Sequence, residues 1–179
     1  MSSAADHTVF DVAIVGLGPV GCLGAILCAE AGLTVVAIEK EADVYTLPRA
    51  VNLDGEIIRA LQPVGLATAV QQMMQPLREG ERAGFANAKR EWLFGGHARA
   101  NGSNGWQPAN MFDQPELEAY LRNTAQSHPN VTAYIGYEMT QFSSDPKQVA
   151  IQALGHEGEI TLLSLIHISE PTRQEAISY

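Results

Sequence analysis

Phe10-Asp-Val-Ala-Ile-Val-Gly16-Leu-Gly18-Pro-Val-Gly21 is the stretch from which the rest of the chain is read. Its first half is a β-branched apolar run ending in glycine, the pattern of a parallel strand buried on both faces. Its second half is G-x-G-x-x-G, opening onto Pro19 to Ala31. That segment is rich in Ala, Leu, Cys and Ile and reads as a helix, with Gly32 as its stop. Leu33 to Glu39 repeats the buried-strand pattern. Strand, helix and strand within about 30 residues make a βαβ unit, whose crossover is almost always right-handed.

The glycines have separate physical jobs in such a turn. Gly16 permits the tight reversal, Gly18 lets a diphosphate approach bare backbone, and Gly21 lets helix and strand pack closely. Pro19 and Val20 complete the first helical turn, where unpaired N–H groups and a partial positive charge face an anion. Glu39 ends the second strand, 18 residues after Gly21. A carboxylate there accepts hydrogen bonds from a ribose diol and repels a 2′-phosphate. Lys40 adjoins it and joins the candidate cofactor-binding set, although Lys40-Glu41 also reads as a solvated turn. Arg49, in Thr46-Leu-Pro48-Arg49-Ala50-Val-Asn52, is a charge-assisted donor suited to cofactor phosphates, with a surface ion pair as the alternative. The fingerprint alone does not separate FAD from NAD; its place near the N-terminus favours FAD.

Working outward, Leu53 to Leu61 and Val64 to Met74 read as short helices broken at Pro63, and residues 82–87 and 90–94 as a hairpin. Residues 95–108 are rich in Gly and Asn and read as a loop. Asp113 is an N-cap and Pro115 an early helical residue for a helix from Gln114 to about Ser127. Val131 to Gly136 is a third strand, and residues 138–142, 148–154 and 159–162 form a β-meander. The 179 residues suffice for one sizeable core. A net charge of -9 argues against nucleic-acid binding, no apolar run spans a membrane, and residues 1–8 read as a disordered N-terminus without a signal pattern. Cys22 and Cys28 lie six apart on one helix and point in different directions. No disulfide or metal site is expected, and a reducing, cytoplasmic setting fits.

Leu163-Ser-Leu-Ile-His-Ile-Ser-Glu-Pro-Thr-Arg173 resembles a translated transposase adaptor from sequencing libraries. Gln174-Glu-Ala176 would then be encoded by one adaptor base and an index of eight bases, and Ile177-Ser-Tyr179 returns to the adaptor. Residues 163–179 are therefore read as a non-native tail and His167 is not read as a base. The expected division is 1–8 disordered, 9–162 a partial FAD-binding domain and 163–179 tail.

The glycine turn, Glu39, Pro48-Arg49-Ala50, Val64-Gly-Leu66, Gly105-Trp106-Gln-Pro108 and Phe112-Asp-Gln114-Pro115 together resemble class A flavin aromatic hydroxylases. Within that group the chain is most similar to 3-(3-hydroxyphenyl)propionate hydroxylases, over about Val9 to Thr161. The resemblance implies an α/β fold: a Rossmann-like FAD-binding domain of parallel sheet plus meander, incomplete at the C-terminus. It implies FAD as cofactor and NAD(P)H as co-substrate, with O2 and a small aromatic substrate hydroxylated through a flavin hydroperoxide. Gly16, Gly18, Pro19, Val20 and Gly21 would lie at the FAD diphosphate, Glu39 would hold the adenosine ribose with Lys40 in the same cofactor-binding set, Arg49 would contact the FAD phosphate or ribityl region, and Gln114 would also contact the cofactor. No catalytic residue is assigned, and Trp106 and Phe112 read as packing residues. Two flavin-contacting segments of the family, Asp-Gly and Gly-Asp, would fall beyond Thr161. The fragment is expected to bind FAD weakly and not to turn over. With the tail set aside, the third strand, Leu33 to Glu39 and Phe10 to Gly16 should be adjacent in that order, the last as an open edge. Another FAD oxidoreductase of the two-dinucleotide type, or a non-redox nucleotide-binding module, remain alternatives.

Overall fold

The computed structural model describes residues 8–99 and 102–169. The expected disordered segment 1–8 therefore lies, apart from Thr8, outside the described residues, as do residues 170–179 of the expected tail. The chain divides into two units, residues 1–44 with 118–179, and residues 45–117.

The first unit is built on a six-stranded sheet. Its elements are β1 (Val9–Val15), α1 (Pro19–Glu30), β2 (Val35–Glu39), and, after the second unit, β8 (Val131–Ile135), β9 (Glu138–Ser144), β10 (Val149–Gly155) and β11 (Gly158–Ser169). The strand order is β8-β2-β1-β11-β10-β9. β8, β2 and β1 run parallel, as the βαβ reading requires, and β9 to β11 form the antiparallel meander. Every residue of β2 is buried, which is why Val35 to Ile38 form a continuous apolar run rather than an alternation. α1 buries Gly21, Cys22, Ala25, Ile26 and Ala29. A second cluster of Ala13, Val36, Ile38, Tyr137, Ile151, Ala153 and Leu162 joins the parallel strands to the meander.

β1 is not an open edge. β11 pairs with β10 through residues 158–164 and then continues along β1, from Val9 opposite Leu163 to Val15 opposite Ser169. The strand thus runs on into the segment set aside on sequence grounds. A strand edge presents a row of N–H and C=O groups, and β11 supplies their partners along β1. The side chains fit less well. Ser164 is fully buried and its Oγ has no hydrogen-bond partner, while Leu165 and Ile166 are 54% and 56% exposed.

The second unit holds β3 (Asn52–Leu53), α2 (Gly55–Leu61), α3 (Ala67–Gln72), β4 (Gln75–Pro76), β5 (Arg82–Ala86), β6 (Trp92–His97) and β7 (Asn110–Met111). Asp54 caps α2 by accepting from the N–H groups of Glu56 and Ile57. β3 and β4 flank β7, where Nδ2 of buried Asn110 donates to the carbonyls of Leu53 and Gln107. β5 and β6 form the expected hairpin, with Phe85 stacked on Phe94. α4 (Gln114–Ser127) begins at the end of this unit and continues into the first. No described helix is long and apolar enough to cross a membrane.

Candidate functional site

The glycine turn sits where β1 hands over to α1. Gly16 has φ 100°, a left-handed conformation that a side chain resists, and its N–H donates to the Ile38 carbonyl at 2.8 Å. A Cβ on Gly21 would fall on the Gly16 carbonyl oxygen, so the first turn of α1 presses directly on the end of β1. Gly18 differs from these two. As the N-cap of α1 it has φ -69° and ψ -177°, extended backbone that any residue adopts. What glycine contributes at position 18 is the absence of a side chain over the helix mouth.

The N-cap Gly18 brings no side chain to the positive end of α1, the first turn contains no acid, and Pro19 brings no N–H to its first position. Val20 is 75% exposed, whereas Leu17 is fully buried. Cys22 fastens the turn, its N–H donating to the Gly18 carbonyl and its thiol to the Leu17 carbonyl.

Glu39 faces this mouth from the end of β2. Its Oε2 accepts from the Leu17 N–H at 2.7 Å, and its Oε1 accepts from the Glu41 N–H at 2.8 Å. Its own carbonyl accepts from the N–H groups of Gly136 and Tyr137, so the turn after β8 also holds it. Burial, helped by the Glu157 carboxylate, pushes the Tyr137 phenol above its ordinary pKa. Lys40 is exposed.

Arg122, on α4, lies behind Glu39. Nη1 donates to the Glu41 carbonyl at 3.2 Å; Nη2 stands 3.3 Å from Oε1 of Glu118 and 4.0 Å from Oε2 of Glu39. Glu39, Glu118 and Arg122 are all buried. The sequence reading passed over Glu118 and Arg122, because an i,i+4 Glu/Arg pair ordinarily marks a solvated helix face. The available signal was phase: the pair lies on the same side of the helix as Leu117, Leu121 and Ala125, all buried.

The remaining candidates lie in the second unit. Oε1 of Gln114 accepts from the N–H groups of Arg49 at 2.7 Å and Ala50 at 2.9 Å, so helix start and Pro-Arg-Ala segment meet directly. The Arg49 guanidinium lies over the Tyr45 ring, 4.5 Å from its centroid, and makes a cation–π contact rather than a surface ion pair. Trp106 donates from Nε1 to Oε1 of Gln62, and the Phe112 N–H donates to the Val51 carbonyl. Gly16, Gly18, Pro19, Val20, Gly21, Glu39 and Lys40 thus gather in one unit, Arg49 and Gln114 in the other.

Residues 9–164 match the family described as FAD binding domain. A hydroxylase of Klebsiella pneumoniae subsp. pneumoniae named for 3-(3-hydroxy-phenyl)propionate and 3-hydroxycinnamic acid is 33% identical over 156 residues, 87% of this chain and 27% of the relative. Its namesake from Paraburkholderia xenovorans is 32% identical over 83% of this chain and 23% of its own. The chain therefore spans about a quarter of the length of these relatives. Among solved structures, p-nitrophenol 4-monooxygenase PnpA from Pseudomonas putida superposes with a TM-score of 0.79 at 20% identity, over 96% of this chain and 43% of that one. The flavin-dependent monooxygenase PieE, solved with FAD and substrate, gives a TM-score of 0.75 at 19% identity, over 92% and 30%. At these identities the superpositions speak for the fold.

Proposed function

The chain belongs to the FAD binding domain family, and from that premise we propose that it forms the FAD-binding part of an NAD(P)H-dependent monooxygenase that hydroxylates a phenolic ring. One observation carries the reading: the N-terminus of α1, where Gly18 brings no side chain, and the Glu39 carboxylate are joined through the Leu17 N–H. A diphosphate needs the first and a ribose diol the second. The residues fit the group, since the close approach of Gly21 to Gly16 leaves α1 starting hard against β1 with no side chain at Gly18.

Gly16, Gly18, Pro19, Val20 and Gly21 would hold the diphosphate by backbone and helix charge. Glu39 would bind the adenosine ribose, with Lys40 beside it, and Arg49 and Gln114 would serve the rest of the cofactor. Once bound, FAD supplies the redox chemistry by which electrons from NAD(P)H and one oxygen atom of O2 reach an aromatic ring. The names of the relatives support a phenylpropanoid-type phenol as that ring. A net charge of -9 supports a small-molecule substrate rather than a nucleic acid.

Residues 163–179 are, in the same reading, a non-native tail. The adaptor-like sequence supports this, and so does the poor fit of β11, with the Ser164 hydroxyl buried without a partner and the Leu165 and Ile166 side chains exposed.

The test is equilibrium titration of the 179-residue chain with FAD and with ADP, followed by flavin fluorescence and by backbone amide NMR. Binding of both, with the largest shifts at residues 16–21 and 39–41, is the expected result, together with no phenol-dependent NAD(P)H oxidation by this chain. Absence of ADP and FAD binding at millimolar ligand would overturn the proposal.

A further inference from the structure

Arg122 is a buried guanidinium that the nucleotide-site reading does not use, yet it reaches Glu39 by two routes. The first is mechanical. Glu41 donates its N–H to Oε1 of Glu39, and the carbonyl of the same residue accepts from Nη1 of Arg122. Arg122 therefore holds the residue that holds the carboxylate. The second is electrostatic. Nη2 hydrogen-bonds to Glu118 at 3.3 Å but stands 4.0 Å from Oε2 of Glu39, beyond hydrogen-bond range. At that distance it offsets the carboxylate's charge without taking one of its lone pairs.

The arithmetic of acceptor sites gives this separation a meaning. An ionised carboxylate offers about four lone-pair sites. The Leu17 and Glu41 N–H groups occupy two of them. The number left equals the number of hydroxyls on a ribose diol. A guanidinium bonded directly to Glu39 would reduce that number, and removal of the guanidinium would take away the positive charge 4.0 Å from the buried Glu39 carboxylate.

We propose that Arg122 is a positioning residue for ribose recognition: it aims and charge-balances Glu39 while leaving two acceptor sites for the diol. The inference rests on the ribose role proposed for Glu39. A purely structural Arg122 would affect every nucleotide alike; a positioning Arg122 acts through the diol.

The experiment compares ADP with 2′,3′-dideoxy-ADP, which keeps the adenine and diphosphate but lacks both hydroxyls. Dissociation constants are measured by amide NMR titration on the 179-residue chain, its Arg122→Met variant and its Arg122→Lys variant. The wild-type chain is expected to prefer ADP by about tenfold or more. In Arg122→Met that preference should fall to about threefold or less, with dideoxy-ADP affinity changed less than about twofold. Arg122→Lys, which keeps the charge and loses the two-pronged reach, should lie between, and it carries the test alone should Arg122→Met lose its native circular dichroism. Equal weakening of both ligands, or an unchanged preference, would overturn the positioning role and leave the ribose reading standing. A wild-type chain that does not prefer ADP would overturn the ribose reading and this inference with it.

Discussion

The Leu17 N–H donates to Oε2 of Glu39 at 2.7 Å, joining residues 22 positions apart at the meeting point of turn, helix and sheet. The bond fixes the carboxylate relative to the mouth of α1. In Glu39→Gln the amide can still accept from one N–H group, but its NH2 end opposes the other, and Arg122 loses a counter-charge. FAD and ADP affinity should fall by about tenfold to a hundredfold, the range of hydrogen bonds to a charged group. Fluorescence titration checks this, and an unchanged dissociation constant would remove Glu39 from the site.

Gly21 and Gly24 lie on the same helix and give opposite expectations. A Cβ at Gly21 collides with the Gly16 carbonyl oxygen, whereas a Cβ at Gly24 meets only Cδ1 of Ile14 at 3.7 Å, an ordinary contact. Gly21→Ala must push α1 off β1 and should destabilise by roughly 1–3 kcal/mol while weakening nucleotide binding. Gly24→Ala should be neutral or stabilising by up to about 1 kcal/mol, since alanine is the better helix former. Urea unfolding of the pair decides the matter, and equal costs would contradict the close-packing argument.

Asp11 and Thr34 tie the start of β1 to the residue before β2. Oδ2 of Asp11 accepts from the Thr34 N–H at 2.8 Å and the Thr34 hydroxyl at 2.7 Å, and these bonds hold its carboxyl below the ordinary value of 3.8. A carboxyl with a depressed folded-state pKa adds stability that is present above the unfolded value and lost as pH falls through the folded one. The wild-type chain should therefore lose stability below about pH 4 more steeply than Asp11→Asn. Thermal melts between pH 6 and 3 test this; parallel curves would show that the two bonds carry no linkage.

The parallel half of the fold was legible because its residues have one role each. Short β-branched apolar runs bounded by turn residues read as buried strands, and a glycine triad between strand and helix has few structural uses. α4 was legible from Asp113, whose Oδ1 accepts from the Glu116 N–H as an N-cap should. β3, β4 and β7 were not, since two-residue strands have no periodicity to read. At the site, Gly16, Gly21 and Glu39 followed from spacing, but Arg122 did not, because its partners Glu39 and Glu41 lie about 80 residues away in sequence. Gln114 was placed by resemblance; that it accepts from Arg49 and Ala50 is visible only in three dimensions.

Ser164 tests the misfit of β11. Its Oγ is buried without a partner, opposite Phe10 on one side and Val149 on the other. An unsatisfied buried hydroxyl is a net cost, so Ser164→Ala should stabilise the chain by about 1 kcal/mol, contrary to the usual sign for a core substitution. Replacing exposed Leu165 and Ile166 by threonine should leave stability within about 0.5 kcal/mol. Urea midpoints check both. A destabilising Ser164→Ala would mean that the serine belongs in this slot.

Gln114 gives the last prediction. Two adjacent backbone N–H groups converge on its side-chain oxygen at 2.7 and 2.9 Å, an arrangement that fixes which end of the amide points at the loop. Gln114→Glu keeps an acceptor there and gains charge-assisted bonds, while Gln114→Leu keeps the size and leaves both N–H groups to water. The loop is exposed, so the stability cost of Gln114→Leu should be about 1 kcal/mol or less. Its main effect should be on order. The 45–52 segment, held to α4 by these bonds, should be cut several-fold faster at Arg49 by trypsin under native conditions in Gln114→Leu, and no faster than wild type in Gln114→Glu. Of the two places proposed for Arg49, the ribityl region is the one ADP lacks, and with Arg49 there the same leucine variant should weaken FAD more than ADP. Equal loss for the two ligands would assign Arg49 to the diphosphate end instead, and equal trypsin rates across all three chains would show that the Gln114 bonds do not restrain the loop.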